Sequence, residues 1–169
     1  RPGRRLQHVR QRPRTRSHRR HILEGVDAAR TTVAQMLAEA RDRIRRYTPE
    51  EVAAGDLVIV DTRDSSDRLA HGVIPDSIWV PRTTLEWRAD PSAELPDPRI
   101  TGAQHPIVVV CTDGYSSSLA AANLVELGYH DAGDLAGGFR AWSEASLPVV
   151  PSEEKPPTTL ETRENPQQM

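Results

Sequence analysis

The chain has 169 residues, 37% of them hydrophobic, which supplies one core of ordinary size and argues against two full domains. Its single cysteine excludes an internal disulfide, no Cys/His cluster has metal-ligand spacing, and no apolar run approaches the roughly 18 residues of a membrane span. The net charge of −2 conceals an asymmetry, because residues 1–20 carry nine arginines and no acid, which leaves 13 basic against 24 acidic side chains on the rest.

Residues 1–21 are expected to form a basic, unstructured arm. Such a block could serve a nucleic acid or an anionic surface, but it has no interleaved aromatics and no recognisable motif, so a solvated arm is favoured over a nucleic-acid site. It is not followed by the apolar segment of a secretory signal, and a reducing, cytoplasmic location is expected, although an Arg-rich, acid-poor leader also suits an organellar transit peptide. From Ile22 to Tyr47 the residues Ile22, Leu23, Val26, Val33, Met36, Leu37 and Ile44 recur at helical spacing, with Ala29 and Ala40 in the same stripe. This predicts one long amphipathic helix over 22–47. Thr48, Pro49 and Glu51 then supply an N-cap, a proline at the first helical position and the reciprocal glutamate of a capping box, so a short second helix follows.

Leu57-Val58-Ile59-Val60 and Ile107-Val108-Val109-Val110 are short, uniformly apolar and rich in β-branched residues, the pattern of strands buried on both faces of a parallel sheet. Ser77–Val80 and Ala132–Ala136 are weaker strands of the same kind. Helices are predicted between them at Thr83–Arg88, Ser116–Leu127 and Gly138–Ala145. The alternation gives an α/β domain over 48–150, a parallel sheet flanked by helices on both faces with the amphipathic helix added in front. Residues 151–169, with four prolines and almost no apolar side chain, are expected to be a disordered tail.

The most informative stretch runs from Ile107 through Cys111 to Leu127. A buried strand ends at Cys111, Gly114 allows a tight loop, and a helix begins at Ser116 or Ser117. That places the thiol at the carboxyl edge of the sheet, where open α/β folds bind ligands, with the amides of Thr112, Asp113, Gly114, Tyr115, Ser116 and Ser117 free to converge on it. Those amides and the positive end of the helix stabilise an anion and lower the thiol's pKa. A free cysteine more often merely packs, but here strand, glycine loop and serine-rich helix start are arranged around it, and a nucleophile is the favoured reading.

On these residues the chain resembles the rhodanese-like family, whose active-site loop is a cysteine, four variable residues and often an arginine, followed by a serine and a helix. Val60-Asp61-Thr62-Arg63 looks like the family's Asp-x-Arg strand end, Gly72–Ser77 like its Gly-His-Ile-Pro-Gly-Ala segment, and Gly137-Gly138-Phe139-Arg140-Ala141-Trp142 like its C-terminal helix. Thr84–Arg88 is similar to a subgroup from high-GC bacteria, an origin with which abundant arginine and scarce lysine are consistent. The resemblance implies a sulfurtransferase: Cys111 takes sulfane sulfur from a small donor such as thiosulfate as a persulfide and passes it to a thiophilic acceptor, a small molecule or a protein thiol, with no metal or organic cofactor.

Three departures bear on that expectation. Ser116 stands where many active members carry arginine, Asp113 puts a carboxylate in the loop, and Val73 fills the family's histidine position, with His71 expected to be a surface residue. Arg82, together with Arg88, is the candidate for the missing positive charge, while Asp61 and Arg63 are expected to organise the strand end. The alternatives are a non-catalytic or weakly active binding module that keeps the fold, and a phosphatase-like or arsenate-reducing relative. The last is disfavoured because Ser117 stands where its longer loop would need arginine.

Overall fold

The computed structural model describes residues 30–153. The basic arm, residues 22–29 of the expected long helix, and tail residues 154–169 lie outside the described residues. Among the described residues five strands, β1 (Arg45–Tyr47), β2 (Val58–Asp61), β3 (Ile78–Trp79), β4 (Ile107–Val110) and β5 (Gly133–Leu135), form one parallel sheet in the order β1-β5-β4-β2-β3. The helices are α1 (Val33–Arg41), α2 (Pro49–Ala54), α3 (Ser65–His71), α4 (Leu85–Ala89), α5 (Pro98–Thr101), α6 (Ser116–Glu126) and α7 (Gly138–Glu144), with a 3-10 turn at Arg82–Thr84 leading into α4. No helix among the described residues is long and apolar enough to cross a membrane.

β4 is the centre of the sheet because all four of its side chains are apolar, and all four are buried. Successive side chains point to opposite faces, so Ile107 and Val109 join Leu85, Ile100, Ala120 and Leu124 under α4, α5 and α6. Val108 and Val110 join Tyr47, Val52, Ile74, Phe139 and Trp142 under α2 and α7. Each of those four side chains contributes roughly 1.5–3 kcal/mol of apolar burial, which anchors the strand that carries the cysteine. The order of connections reverses at β4, so the crevice at its carboxyl end lies between the ends of β4 and β2. The domain closes where Val73 and Val150 exchange two backbone hydrogen bonds of 2.8 and 3.0 Å.

Of the long helix expected over 22–47, the described residues carry only Val33–Arg41, since residues 30–32 are not helical. It stops at Arg41, and Arg45, Arg46 and Tyr47 pair in parallel with Gly133, Asp134 and Leu135. Tyr47 is buried in the core, which fixes this register, and Arg46 reaches the buried carboxylate of Asp134 from the neighbouring strand. Of the predicted stripe, Ala40 is buried and Leu37 and Ile44 are half-buried, whereas Val33 and Met36 are 67% and 47% exposed. The capping box appears as expected, with the Thr48 hydroxyl accepting from the Glu51 amide and the Glu51 carboxylate accepting from the Thr48 amide. Helices α3 and α5 have no counterpart among the predicted elements; each is short and starts at an aspartate, Asp64 or Asp97, whose carboxylate accepts a first-turn amide.

Candidate functional site

Cys111 follows the last residue of β4, and the chain turns back over it within five residues. Gly114 makes this turn possible, since its φ of +72° is open to glycine and its Cα faces the Gly137-Gly138 backbone so closely that a Cβ would lie 2.7 Å from the Gly137 nitrogen. Gly138, with φ of +64°, packs equally hard from the other side, where a Cβ would collide with the Cys111 carbonyl oxygen. The first amides of α7 then bind the loop's carbonyls: Phe139 N–H donates to Cys111 O at 2.8 Å and Arg140 N–H to Thr112 O at 3.0 Å. The double glycine of the carboxyl-terminal motif is therefore part of the site's foundation.

With its carbonyls held on that side, the loop turns amides toward the sulfur. Gly114 N–H lies 3.2 Å and Ser117 N–H 3.4 Å from Sγ, and the Ser117 hydroxyl is 3.2 Å away. The thiol donates to that hydroxyl when protonated, and the hydroxyl can turn its own proton to the sulfur when it ionises. Burial pushes the Cys111 thiol up, but the hydroxyls of Ser116 and Ser117 and the amides of Ser117 and Asp113 outweigh it and hold the thiol below its ordinary value. Cys111 is 7% exposed and borders an open cleft of about 340 Å³ lined by Thr62, Arg63, Asp64, Thr112, Asp113, Tyr115 and Ser116 as well as the cysteine itself.

All seven residues expected at the loop are thus brought together, with Tyr115 59% exposed at the lip. The carboxylate of Asp113 is paired with the guanidinium of Arg140 at 2.7 Å, which offsets the negative charge that the loop presents to an anion. Asp61 and Arg63 form the floor beside β2. The Asp61 carboxylate is buried between Arg63 at 2.8 Å and Arg68 at 2.7 Å, and the Arg63 guanidinium lies 3.6 Å from the Phe139 ring centroid. Arg63 also donates to the Gly72 carbonyl at 2.8 Å, so its charge is committed to the scaffold. His71 is a surface residue bound to Asp67, whose other carboxylate oxygen accepts from Thr112 Oγ1 at 2.7 Å.

Arg82 and Arg88 are not among the residues that line the cleft. Arg82 is held by both oxygens of Glu86 at 2.8 and 2.9 Å, and Glu86 is fixed in turn by Asn123 at 2.6 Å. Arg88 donates to the Leu95 carbonyl at 3.0 Å.

Behind the loop lies a polar group that sequence reasoning missed. Asp134, fully buried in β5, accepts from Ser118 Oγ at 2.7 Å, from Ser117 Oγ at 3.4 Å and from Arg46 Nε at 3.0 Å. The one legible signal is an acidic residue inside an otherwise small and apolar segment, Ala132 to Ala136, since a carboxylate there must find a partner. Nothing in the pattern of residues 41–46 marks Arg46 as that partner.

A profile of the rhodanese-like domain family matches residues 46–145. The chain is similar to a sulfurtransferase of Allochromatium vinosum, 33% identical over 98 residues that span 58% of this chain and 82% of the relative. It is also similar to the thiosulfate sulfurtransferase GlpE of Stutzerimonas stutzeri, 37% identical over 103 residues, 58% of this chain and 84% of that one. Among solved structures, a protein of unknown function from Rhodopseudomonas palustris, described as a possible tyrosine phosphatase, superposes with a TM-score of 0.66 at 32% identity, covering 71% of this chain and 95% of that one.

Proposed function

The chain belongs to the rhodanese-like domain family, and from that membership and the site's geometry we propose that it is a sulfurtransferase working through a persulfide on Cys111. The observation that carries this reading is the convergence of the Gly114 and Ser117 amides and the Ser117 hydroxyl on one sulfur at the edge of an open cleft. The Cys111 thiolate attacks the outer sulfur of a donor such as thiosulfate; the new S–S bond forms as the donor's S–S bond breaks, and sulfite leaves with the electron pair. A thiophilic acceptor, cyanide or a protein thiolate, then attacks the outer sulfur of the persulfide, takes it, and returns the Cys111 thiolate. Neither step changes the proton count or requires a metal or an organic cofactor.

The loop's donors suit the outer sulfur because they are fixed in the resting protein and need no rearrangement when charge moves onto it. A phosphoryl-transfer reading, the activity suggested for the Rhodopseudomonas protein, fits this chain less well. Phosphoryl oxygens call for a guanidinium in the loop, and this loop offers Ser116 and Ser117 instead. A thiol that must stay unoxidised between turnovers favours a reducing compartment such as the cytoplasm, and small donors and thiophilic acceptors are the partners this cleft suits. Thiocyanate formation from thiosulfate and cyanide tests the proposal: turnover that vanishes in Cys111→Ser supports it. No turnover by the intact chain with either thiosulfate or a low-molecular-weight persulfide as donor favours a binding module.

A further inference from the structure

The loop that carries the sulfur is contacted by a residue that lies before the family's matched region. The family profile begins at residue 46, whereas α1 ends at Arg41 and packs along α6. Arg41 Nη2 donates to the Gly114 carbonyl at 2.9 Å, Nε donates to Ser118 Oγ at 3.2 Å, and the guanidinium sits 5.7 Å from the ring centroid of Tyr115. One side chain thus grips two features of the cysteine loop and a hydroxyl of the helix that follows it. Ser118 passes the contact on to Asp134 at 2.7 Å, and Asp134 is paired with Arg46, so the grip is tied to the sheet.

We propose that Arg41 is a positioning residue of the sulfur site, which makes the preceding helix α1 a working part of it. The proposal rests on the sulfur-transfer reading, for which it names the residue that holds the loop. The physical reason is the geometry of a trans peptide, whose C=O and N–H point opposite ways. Holding the Gly114 carbonyl toward Arg41 fixes the peptide between Gly114 and Tyr115 and points the N–H of Tyr115, a residue that lines the cleft, away from Arg41. Glycine on one flank makes rotation of this peptide inexpensive, and a rotated peptide would present its oxygen to the persulfide in place of a donor. The other donors to the same carbonyl are longer, Ser118 Oγ at 3.2 Å and Arg46 Nη2 at 3.4 Å, and Ser118 also serves Asp134. Arg41 is therefore the principal clamp. Its charge adds a second effect: Arg46 is paired with Asp134 behind the loop and Asp113 with Arg140 in front, whereas Arg41 meets the loop through a carbonyl, a hydroxyl and a ring, so its charge favours the anionic sulfur.

The test compares Arg41→Ala, Arg41→Lys and Arg43→Ala in the full chain. Arg43 sits just beyond the same helix and makes an exposed pair with Glu126 at 2.8 Å, away from the loop, which makes it the control. Two readouts are taken: kcat and KM for sulfur transfer, and the pH profile of Cys111 alkylation by iodoacetamide, which needs no turnover. Arg41→Ala is expected to lower kcat about tenfold, equivalent to about 1.4 kcal/mol of barrier, and to move the alkylation profile upward by about half a unit or more. Arg41→Lys keeps the charge without the two-pronged grip and should fall between Arg41→Ala and the parent chain, while Arg43→Ala leaves both readouts unchanged. An alkylation profile in Arg41→Ala, or in Arg41→Lys where only that variant folds, that coincides with those of the parent and Arg43→Ala overturns the proposal. A shifted profile supports it even where the parent transfers no sulfur, so failure of the sulfur-transfer reading and failure of this inference are separable.

Discussion

Replacing Ser117 with alanine removes one hydroxyl from the sulfur's surroundings and little else. The residue is fully buried inside α6, where alanine is a better helix former, and Asp134 keeps its shorter contacts with Ser118 and Arg46. The Ser117 amide remains 3.4 Å from Sγ. What is lost is a hydroxyl donor to a thiolate at 3.2 Å, and hydrogen bonds to charged groups are worth about 1.5–3 kcal/mol. At 1.36 kcal/mol per pKa unit, Ser117→Ala should raise the Cys111 pKa by about one to two units, read from the pH dependence of alkylation. The same shift governs stability. The folded thiol titrates below its ordinary, unfolded value, so between those two values the folded chain holds fewer protons than the unfolded one. Stability therefore rises with pH across that window and is lost as pH falls through the folded-state value. Urea titrations of the parent should show this slope, and those of Ser117→Ala a reduced one. An alkylation profile in Ser117→Ala that matches the parent would refute the reasoning, because the hydroxyl would then be ordering the loop without stabilising the thiolate.

Asp113→Asn leaves the Arg140 guanidinium unpaired beside the cleft, and since an exposed charge carries up to about 1 kcal/mol, KM for thiosulfate should fall two- to fivefold by steady-state kinetics; an unchanged or raised KM would show that this pair does not act on the donor. Gly138→Ala forces a Cβ against the Cys111 carbonyl at a positive φ, which costs about 1–2 kcal/mol for backbone conformation alone and more for the collision, so thermal melting should drop markedly and alkylation should lose its low-pH reactivity; a melting point equal to the parent's would contradict the packing described. Arg82→Ala should leave KM for thiosulfate within about twofold, because Glu86 already holds that guanidinium and the salt bridge is partly exposed; a several-fold rise would restore Arg82 to the anion site.

The central strand and the cysteine loop are legible in the sequence because their determinants are local. Ile107–Val110 is apolar on both faces only because both faces are covered, and Gly114 is the residue that a tight return over Cys111 requires. The loop's partners are not legible, since they are paired across long sequence separations. Arg45-Arg46-Tyr47 has no strand signature, and it becomes a strand through Asp134 and Leu135, 88 residues on. The periodic stripe through Ile44 instead suggests a continuing helix. Asp61 reads as an organiser of the strand end, but its second partner, Arg68, is a buried arginine on a helix too short to show periodicity. For the missing cation, position along the chain points to Arg82 and Arg88. The cations that meet the loop are Arg140 in front and Arg41 and Arg46 behind, each placed by the fold.

Sulfur transfer through Cys111 is tested most plainly by the intact mass of the chain after incubation with thiosulfate and removal of excess donor. The expected result is a gain of one sulfur atom, retained on Cys111, released by cyanide and absent in Cys111→Ser. An unchanged mass, or a gain that persists in Cys111→Ser, would contradict a persulfide on this thiol.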